Sequence, residues 1–279
     1  MASPATPAPA ADTAGATLLE CEGVSKYFGA LAAVKDLSFS VKAGEVLGIG
    51  GPNGAGKTTL FEVISGQTTP TEGAIHFDGR DIAHMSAQGI CHAGIARTFQ
   101  LNAAFEHLTV WDNVAVSAHF GRHNRIFPGL RLDRRARELS REMIDLVGLT
   151  DSVDVEAEHL PVIDRKRLMI ASALVTEPRL LLMDEPVGGL TPPEIDEIQK
   201  LVMRLHEGGL TIVVIEHVMR FLMEVSSRVM ILDHGEKIFE DEPAQLLRDP
   251  TVIEVYLGKS AAQSLLATHG GGEDAGAES

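Results

Sequence analysis

The sequence predicts an α/β domain whose sheet is mainly parallel. Three observations carry this. Residues 45–50 form a short apolar run suited to a buried strand, and it feeds a Gly-rich loop and then a helical pattern. Residues 179–184 form a second apolar run of strand length, ending in acids. From Pro178 to about Glu242 strand and helix patterns alternate, the chain order of a parallel sheet.

Each element has a local reason. Residues 1–16 are rich in Ala, Pro and Thr and are expected to be disordered. Residues 18–99 hold the opening strands, the Gly-rich loop and its helix; Leu60, Val63 and Ile64 recur at helical spacing and Gly66 can end that helix. Residues from about 101 to 176 lack strong strand signals and read as mostly helical, with one helix after Asp164 running through Leu174. Thr191-Pro-Pro-Glu194 fits a capping box with proline in the first turn. Ile195, Ile198, Leu201, Val202 and Leu205 form the buried stripe of that helix, and Gly208-Gly209 stops it. Residues 210–215 are a further strand, and Asp233-His-Gly-Glu236 is a hairpin turn. A helix starts at Pro243, Val252 to Leu257 closes the ordered part, and residues 259–279 are expected to be loose.

The Gly-rich loop is the most specific stretch. Gly51-Pro52-Asn53-Gly54-Ala55-Gly56-Lys57-Thr58-Thr59 fits G-x-x-x-x-G-K-[ST]. The glycines let backbone N–H groups turn inward towards phosphate oxygens, and the loop sits on a helix N-terminus that favours anions. Lys57 is expected to reach the β- and γ-phosphates and Thr58 to offer its hydroxyl to Mg²⁺. The second acidic strand supplies the complement. Asp184 is a candidate Mg²⁺ ligand, directly or through water, and Glu185 a candidate for polarising an attacking water. Ligands of parallel sheets bind beyond the strand C-termini, which puts both acids at the phosphate side.

Composition narrows the class. The 279 residues suffice for one large α/β domain or a core with a subdomain. A net charge of −15 argues against nucleic acid as the main partner. No run approaches the 18 or so apolar residues of a membrane span. The N-terminus lacks a secretory signal pattern, and Cys21 and Cys91 have no metal or redox spacing, which suits a reducing cytosol. Between Arg122 and Arg141 seven arginines stand against Asp133 and Glu138. This basic cluster is either a solvated face or a surface for anionic headgroups or an acidic partner loop.

Residues 18–258 resemble the ATP-binding subunits of ABC transporters. The resemblance implies that family's fold: a P-loop ATPase core with a mainly parallel sheet, an antiparallel β-subdomain and an α-helical subdomain over about 101–176. It implies ATP and Mg²⁺ as ligands. It makes Phe28, within Lys26-Tyr-Phe-Gly29, the aromatic that stacks on adenine; an apolar core residue is the alternative. Ile95-Ala-Arg-Thr-Phe-Gln100 looks like the family's Q-loop, so Gln100 would contact Mg²⁺ or the lytic water and report to the membrane partner. Val213-Val-Ile-Glu-His217 looks like the switch segment, so His217 would contact the γ-phosphate.

Two stretches depart from the family. The LSGGQ-type signature aligns with Leu160-Pro-Val-Ile-Asp164, which keeps the leading Leu160 but lacks the serine and both glycines. Pro161 has neither hydroxyl nor N–H to donate to a partner's γ-phosphate, and Val162 and Ile163 are branched where close backbone approach is needed. After Pro186 the usual Ser-Ala-Leu-Asp is replaced by Gly188-Gly-Leu-Thr191. The resemblance therefore implies pairing with a different ATPase that keeps its signature, plus two permeases and, indirectly, a solute-binding protein, at the cytoplasmic face of the membrane. Arg97-Thr-Phe-Gln100, Leu108-Thr-Val-Trp-Asp-Asn113 and Val255-Tyr-Leu-Gly258 resemble the branch serving branched-chain amino acids, which also moves urea and short amides. A nucleotide-binding scaffold with little turnover and a soluble non-transport ABC ATPase are the alternative readings.

Overall fold

The computed structural model describes residues 15–98, 105–121 and 134–257. Gln100, the arginines at 122, 125 and 131, residues 1–14 and the tail after 257 lie outside them, so the expectations placed there have no structural counterpart. Among the described residues no helix is long and apolar enough to cross a membrane.

Two sheets organise the chain. Strands β1 (Thr17–Phe28), β2 (Leu31–Lys42), β4 (Glu72–Phe77) and β5 (Arg80–Asp81) form an antiparallel sheet in the order β2-β1-β4-β5. Strands β3 (Val46–Gly50), β6 (Ile95–Thr98), β7 (Leu180–Asp184), β8 (Thr211–Ile215), β9 (Arg228–Asp233) and β10 (Glu236–Asp241) form the second, ordered β10-β9-β3-β8-β7-β6. All its pairings are parallel except β9 with β10. That exception is the expected hairpin, whose corner residues His234 and Gly235 have φ of 48° and 82°, the sign that fits the twist of the flanking strands.

The helices are α1 (Lys57–Ile64), α2 (Ala87–Ala93), α3 (Val110–Gly121), α4 (Arg134–Leu146), α5 (Val162–Leu174), α6 (Pro192–Glu207), α7 (Met219–Val225), α8 (Pro243–Leu246) and α9 (Pro250–Leu257). The central strands β3, β7 and β8 are buried along their whole length because both faces are covered. Period-two alternation sends Leu181, Met183, Ile212 and Val214 into a core shared with α3–α7. It sends Leu180, Leu182, Val213 and Ile215 into an opposite core shared with α1, α2 and the antiparallel sheet. At α6, Glu194 reaches back to accept from both the N–H and the hydroxyl of Thr191, at 2.7 Å each, as the sequence predicts.

The order β3-β8-β7 brings three strand C-termini side by side. The loops that follow them carry Gly51–Lys57, His217 and the Asp184-Glu185 pair.

Candidate functional site

The loop between β3 and α1 is shaped by two glycines. Gly51 has φ of 139°, and a Cβ there would lie 2.1 Å from the carbonyl oxygen of Leu232. Gly56 has φ of 96° and sits 2.1 Å, by the same measure, from the carbonyl oxygen of Ala33. No L side chain is compatible with either position. Lys57 opens α1, and its Nζ donates to the carbonyls of Gly51 and Pro52 at 2.8 Å each, curling over the loop. Burial pushes its pKa down, while the charges of Glu185 and Asp184 pull it back up. The ammonium is thus buried facing two acids, a setting suited to an anionic ligand with its own cation.

A cleft of about 490 Å³ opens over this loop, and Asn53, Gly54, Ala55, Gly56, Lys57, Thr58, Thr59, Glu185 and His217 line it together with Phe28. Phe28 is 51% exposed, so the alternative of an ordinary core residue does not hold. Its ring forms part of the mouth, with the Lys26 ammonium 5.2 Å from its centroid. This is a flat apolar face at the rim of a polar cleft, the kind of surface on which a purine ring stacks.

Asp184 ends β7, almost fully buried. Its Oδ2 is held by Nη2 of Arg97 on β6 at 2.6 Å, in a pair with side chains only 7% and 1% exposed. Its Oδ1 is buried without a hydrogen-bond partner. A buried carboxylate oxygen without a hydrogen-bond partner at the C-terminus of β7, with the exposed Thr58 hydroxyl on the cleft wall, is a donor set suited to Mg²⁺. Gln100, the other residue expected there, lies outside the described residues.

Glu185 follows at once. Its φ is 48°, a left-handed value unusual for a side chain of this size. Its N–H donates to Ile215 O at 2.9 Å, and its carbonyl accepts from Lys166 Nζ at 2.6 Å. The turn swings the carboxyl into the cleft, where Oε1 lies 3.0 Å from Nε2 of His217. Both side chains are about one-third exposed, open enough to meet water and a ligand.

Three supporting residues escape a reading of the sequence for motifs. Arg97 lies on β6, three positions before Gln100. Glu216, next to His217, is fully buried; its Oε1 accepts from Val187 N–H at 2.8 Å, and its Oε2 from the N–H groups of His217 and Val218 at 2.9 and 3.2 Å. Lys166 sits on α5. Arg97 and Glu216 lie inside the Q-loop and switch segments, and Lys166 among the basic residues after Asp164, but nothing in those segments signals the contact that each makes.

The altered signature segment has a defined form. Leu160 is buried, Pro161 caps α5 with φ of −54° and ψ of 157°, Ile163 is 8% exposed and packs in the helical core, and Asp164 accepts from Arg167 at 2.9 Å. A second groove, of about 280 Å³, runs between the sheet and the helical layer and is lined in part by Arg97, Phe105, Asn113 and Met169.

The comparisons agree with this geometry. The ABC transporter family model matches residues 34–188, and the model of the branched-chain amino acid ATP-binding cassette transporter matches residues 236–262. The high-affinity branched-chain amino acid transport ATP-binding protein BraF of Pseudomonas aeruginosa is 34% identical over 251 residues, 87% of this chain and 98% of that protein. LivG of Escherichia coli, of the same description, is 33% identical with the same coverage. A nucleotide-free ATP-binding cassette from an ABC transporter superposes with a TM-score of 0.79 at 30% identity, covering 87% of this chain and all of that one. A dimeric cassette bound to ADP and phosphate gives a TM-score of 0.71 at 25% identity, covering 81% and 99%. With a phosphate loop, an acidic strand end and a glutamate–histidine contact at one sheet edge, this chain belongs to the ATP-binding subunits of ABC transporters, an ATPase family.

Proposed function

We propose that this chain hydrolyses Mg²⁺-ATP in the cleft above Lys57 and energises an importer for branched-chain amino acids or related amides and urea. The observation that carries the reading is the 3.0 Å contact between Glu185 and His217 on the cleft wall facing the phosphate loop. Phe28 stacks on the base, and Gly51 to Thr59 with Lys57 hold the phosphates. Asp184, Thr58 and Gln100 hold Mg²⁺, which offsets phosphate charge when bound. Glu185 orients a water and takes its proton as the water oxygen bonds to the γ-phosphorus and the bond to the β-phosphate oxygen breaks. His217 keeps the carboxylate aimed and donates to the transferring group. The cargo reading rests on the names of the relatives and on the match over residues 236–262.

Assembly follows from the same family. Two cassettes close around ATP, and two permeases dock at the groove that contains Arg97 and Phe105, at the cytoplasmic face of the membrane. Because residues 161–163 of this chain offer no hydroxyl or glycine N–H, its partner is a different ATPase with an intact signature, and a solute-binding protein delivers cargo to the permeases. The cleft of this chain is then the working site.

Glu185→Gln tests the chemistry. It keeps the shape but cannot accept the proton. Turnover of the assembled transporter falls about 100-fold or more, while ATP binding persists and a long-lived ATP-bound dimer elutes on gel filtration. Hydrolysis at the wild-type rate by that variant would show that Glu185 is not the base.

A further inference from the structure

Among the described residues, the mechanism leaves the buried Lys166 without a task. Lys166 is 8% exposed, lies in the middle of α5, and spends its ammonium on a backbone carbonyl, that of Glu185, at 2.6 Å. A buried ammonium is costly unless its surroundings are specific. Burial pushes its pKa below the ordinary lysine value, and the charges of Glu216, Glu185 and Asp184 pull it back up. The ammonium therefore sits inside the acidic end of the β7-β8 edge.

The residue it holds is under strain. Glu185 is a non-glycine residue at φ 48°, a left-handed conformation that persists only where neighbours fix it. Its N–H is fixed by Ile215 and its carbonyl by Lys166, with Gly188 N–H on the same oxygen at 3.3 Å. Glu216 clamps the next loop by taking the Val187 N–H, and orients His217 through its backbone N–H. Removing Lys166 leaves the Glu185 carbonyl with only the weak Gly188 contact and frees the peptide to rotate.

We infer that Lys166 is a positioning residue for the hydrolytic step, making α5 the support that holds Glu185 in the strained turn from which its carboxyl meets His217. The inference rests on the reading of Glu185 as the base. A misplacement of about 1 Å at the reacting group can cost on the order of 100-fold in rate, whereas ATP binding does not use this turn.

The test is Lys166→Met, with Lys166→Arg as the conservative variant and Lys166→Gln as a second, shorter replacement. In the transporter purified with its partner subunits, Lys166→Met lowers kcat about tenfold or more while KM for ATP stays within about twofold. Lys166→Arg, which can still donate to the carbonyl, recovers most of the rate. In the purified chain, amide hydrogen exchange over residues 185–188 speeds up in the Met and Gln variants and not in the Arg variant, with ATP binding unchanged. Unaltered exchange in whichever of the Met and Gln variants folds, wild-type kcat, or a parallel loss of kcat and ATP affinity would overturn the inference. Glu185→Gln measured beside it separates the two ideas. If that variant still turns over, the reading of the base has failed; if it is inactive while Lys166→Met works normally, only the role of Lys166 has failed.

Discussion

At the scale of single residues the phosphate loop is governed by close approach more than by flexibility. Gly54 and Gly56 are both glycines at positive φ, 81° and 96°, yet their surroundings differ. A Cβ at Gly54 meets nothing within 4 Å, while one at Gly56 falls 2.1 Å from the Ala33 carbonyl oxygen. Alanine at 54 carries only the left-handed backbone cost of about 1–2 kcal/mol. Alanine at 56 carries that cost and must also displace the loop or β2, moving the N–H groups and Lys57 off the phosphates. Gly56→Ala therefore weakens binding of a fluorescent ATP analogue about 100-fold or more, and Gly54→Ala about tenfold, with both proteins melting cooperatively. Equal affinities for the two variants would show that the Ala33 contact does not set the loop. The Arg97–Asp184 pair follows similar logic. The arginine occupies one carboxylate oxygen and leaves the other, buried, without a partner.

At the scale of elements, what was legible in the sequence was local. The capping box at Thr191, the two-residue hairpin at His234-Gly235 and the strand–loop–helix around Gly51 each depend on residues within a few positions of one another. The antiparallel sheet was expected only through the family resemblance, because its β1–β2 and β1–β4 registers are interrupted by shifts that blur alternation. The supports of the site were not legible. Lys166 reaches Glu185 from α5 to β7, Arg97 reaches Asp184 from β6 to β7, and Glu216 reaches Val187 from β8. Each contact follows from the strand order, which no local pattern encodes. The altered signature shows the same limit. The family resemblance marked Ile163 as obstructing a phosphate contact, but its burial gives it a second task, in the helical core. Ile163→Gly removes a buried side chain and adds a helix-breaking residue in the first turn of α5. It is expected to destabilise the chain by about 3–5 kcal/mol, read as a lower denaturant midpoint, while Val162→Gly, at a position 42% exposed, costs about 1 kcal/mol. A small effect at Ile163 would mean that α5 is not anchored through this residue.

At the scale of the whole molecule, the proposed pairing of two cassettes would set the cleft and the signature segment of one chain against different nucleotides. The cleft keeps Lys57, Asp184, Glu185 and His217 together at one sheet edge. The signature segment presents Pro161, the exposed Val162 and a carboxylate at Asp164 already bound by Arg167, with Ile163 buried behind them. Two copies of this chain would set two complete clefts against two segments that cannot donate to the γ-phosphate. One copy beside an intact cassette would set this cleft against a competent donor and leave the sister site impaired. The purified chain alone is therefore expected to bind ATP but turn it over slowly. Adding the sister subunit should raise turnover per cleft about 100-fold or more, since one lost oxyanion-type donor costs roughly 2.7–4 kcal/mol of barrier. The same asymmetry predicts the rescue. Pro161→Ser with Val162→Gly restores a hydroxyl and one glycine N–H while leaving the buried Ile163 in place, and it should raise the turnover of the chain alone. Rapid hydrolysis by the unaltered chain alone, indifferent to that double substitution, would mean that phosphate contacts from the partner do not limit this ATPase and that the pairing argument is wrong.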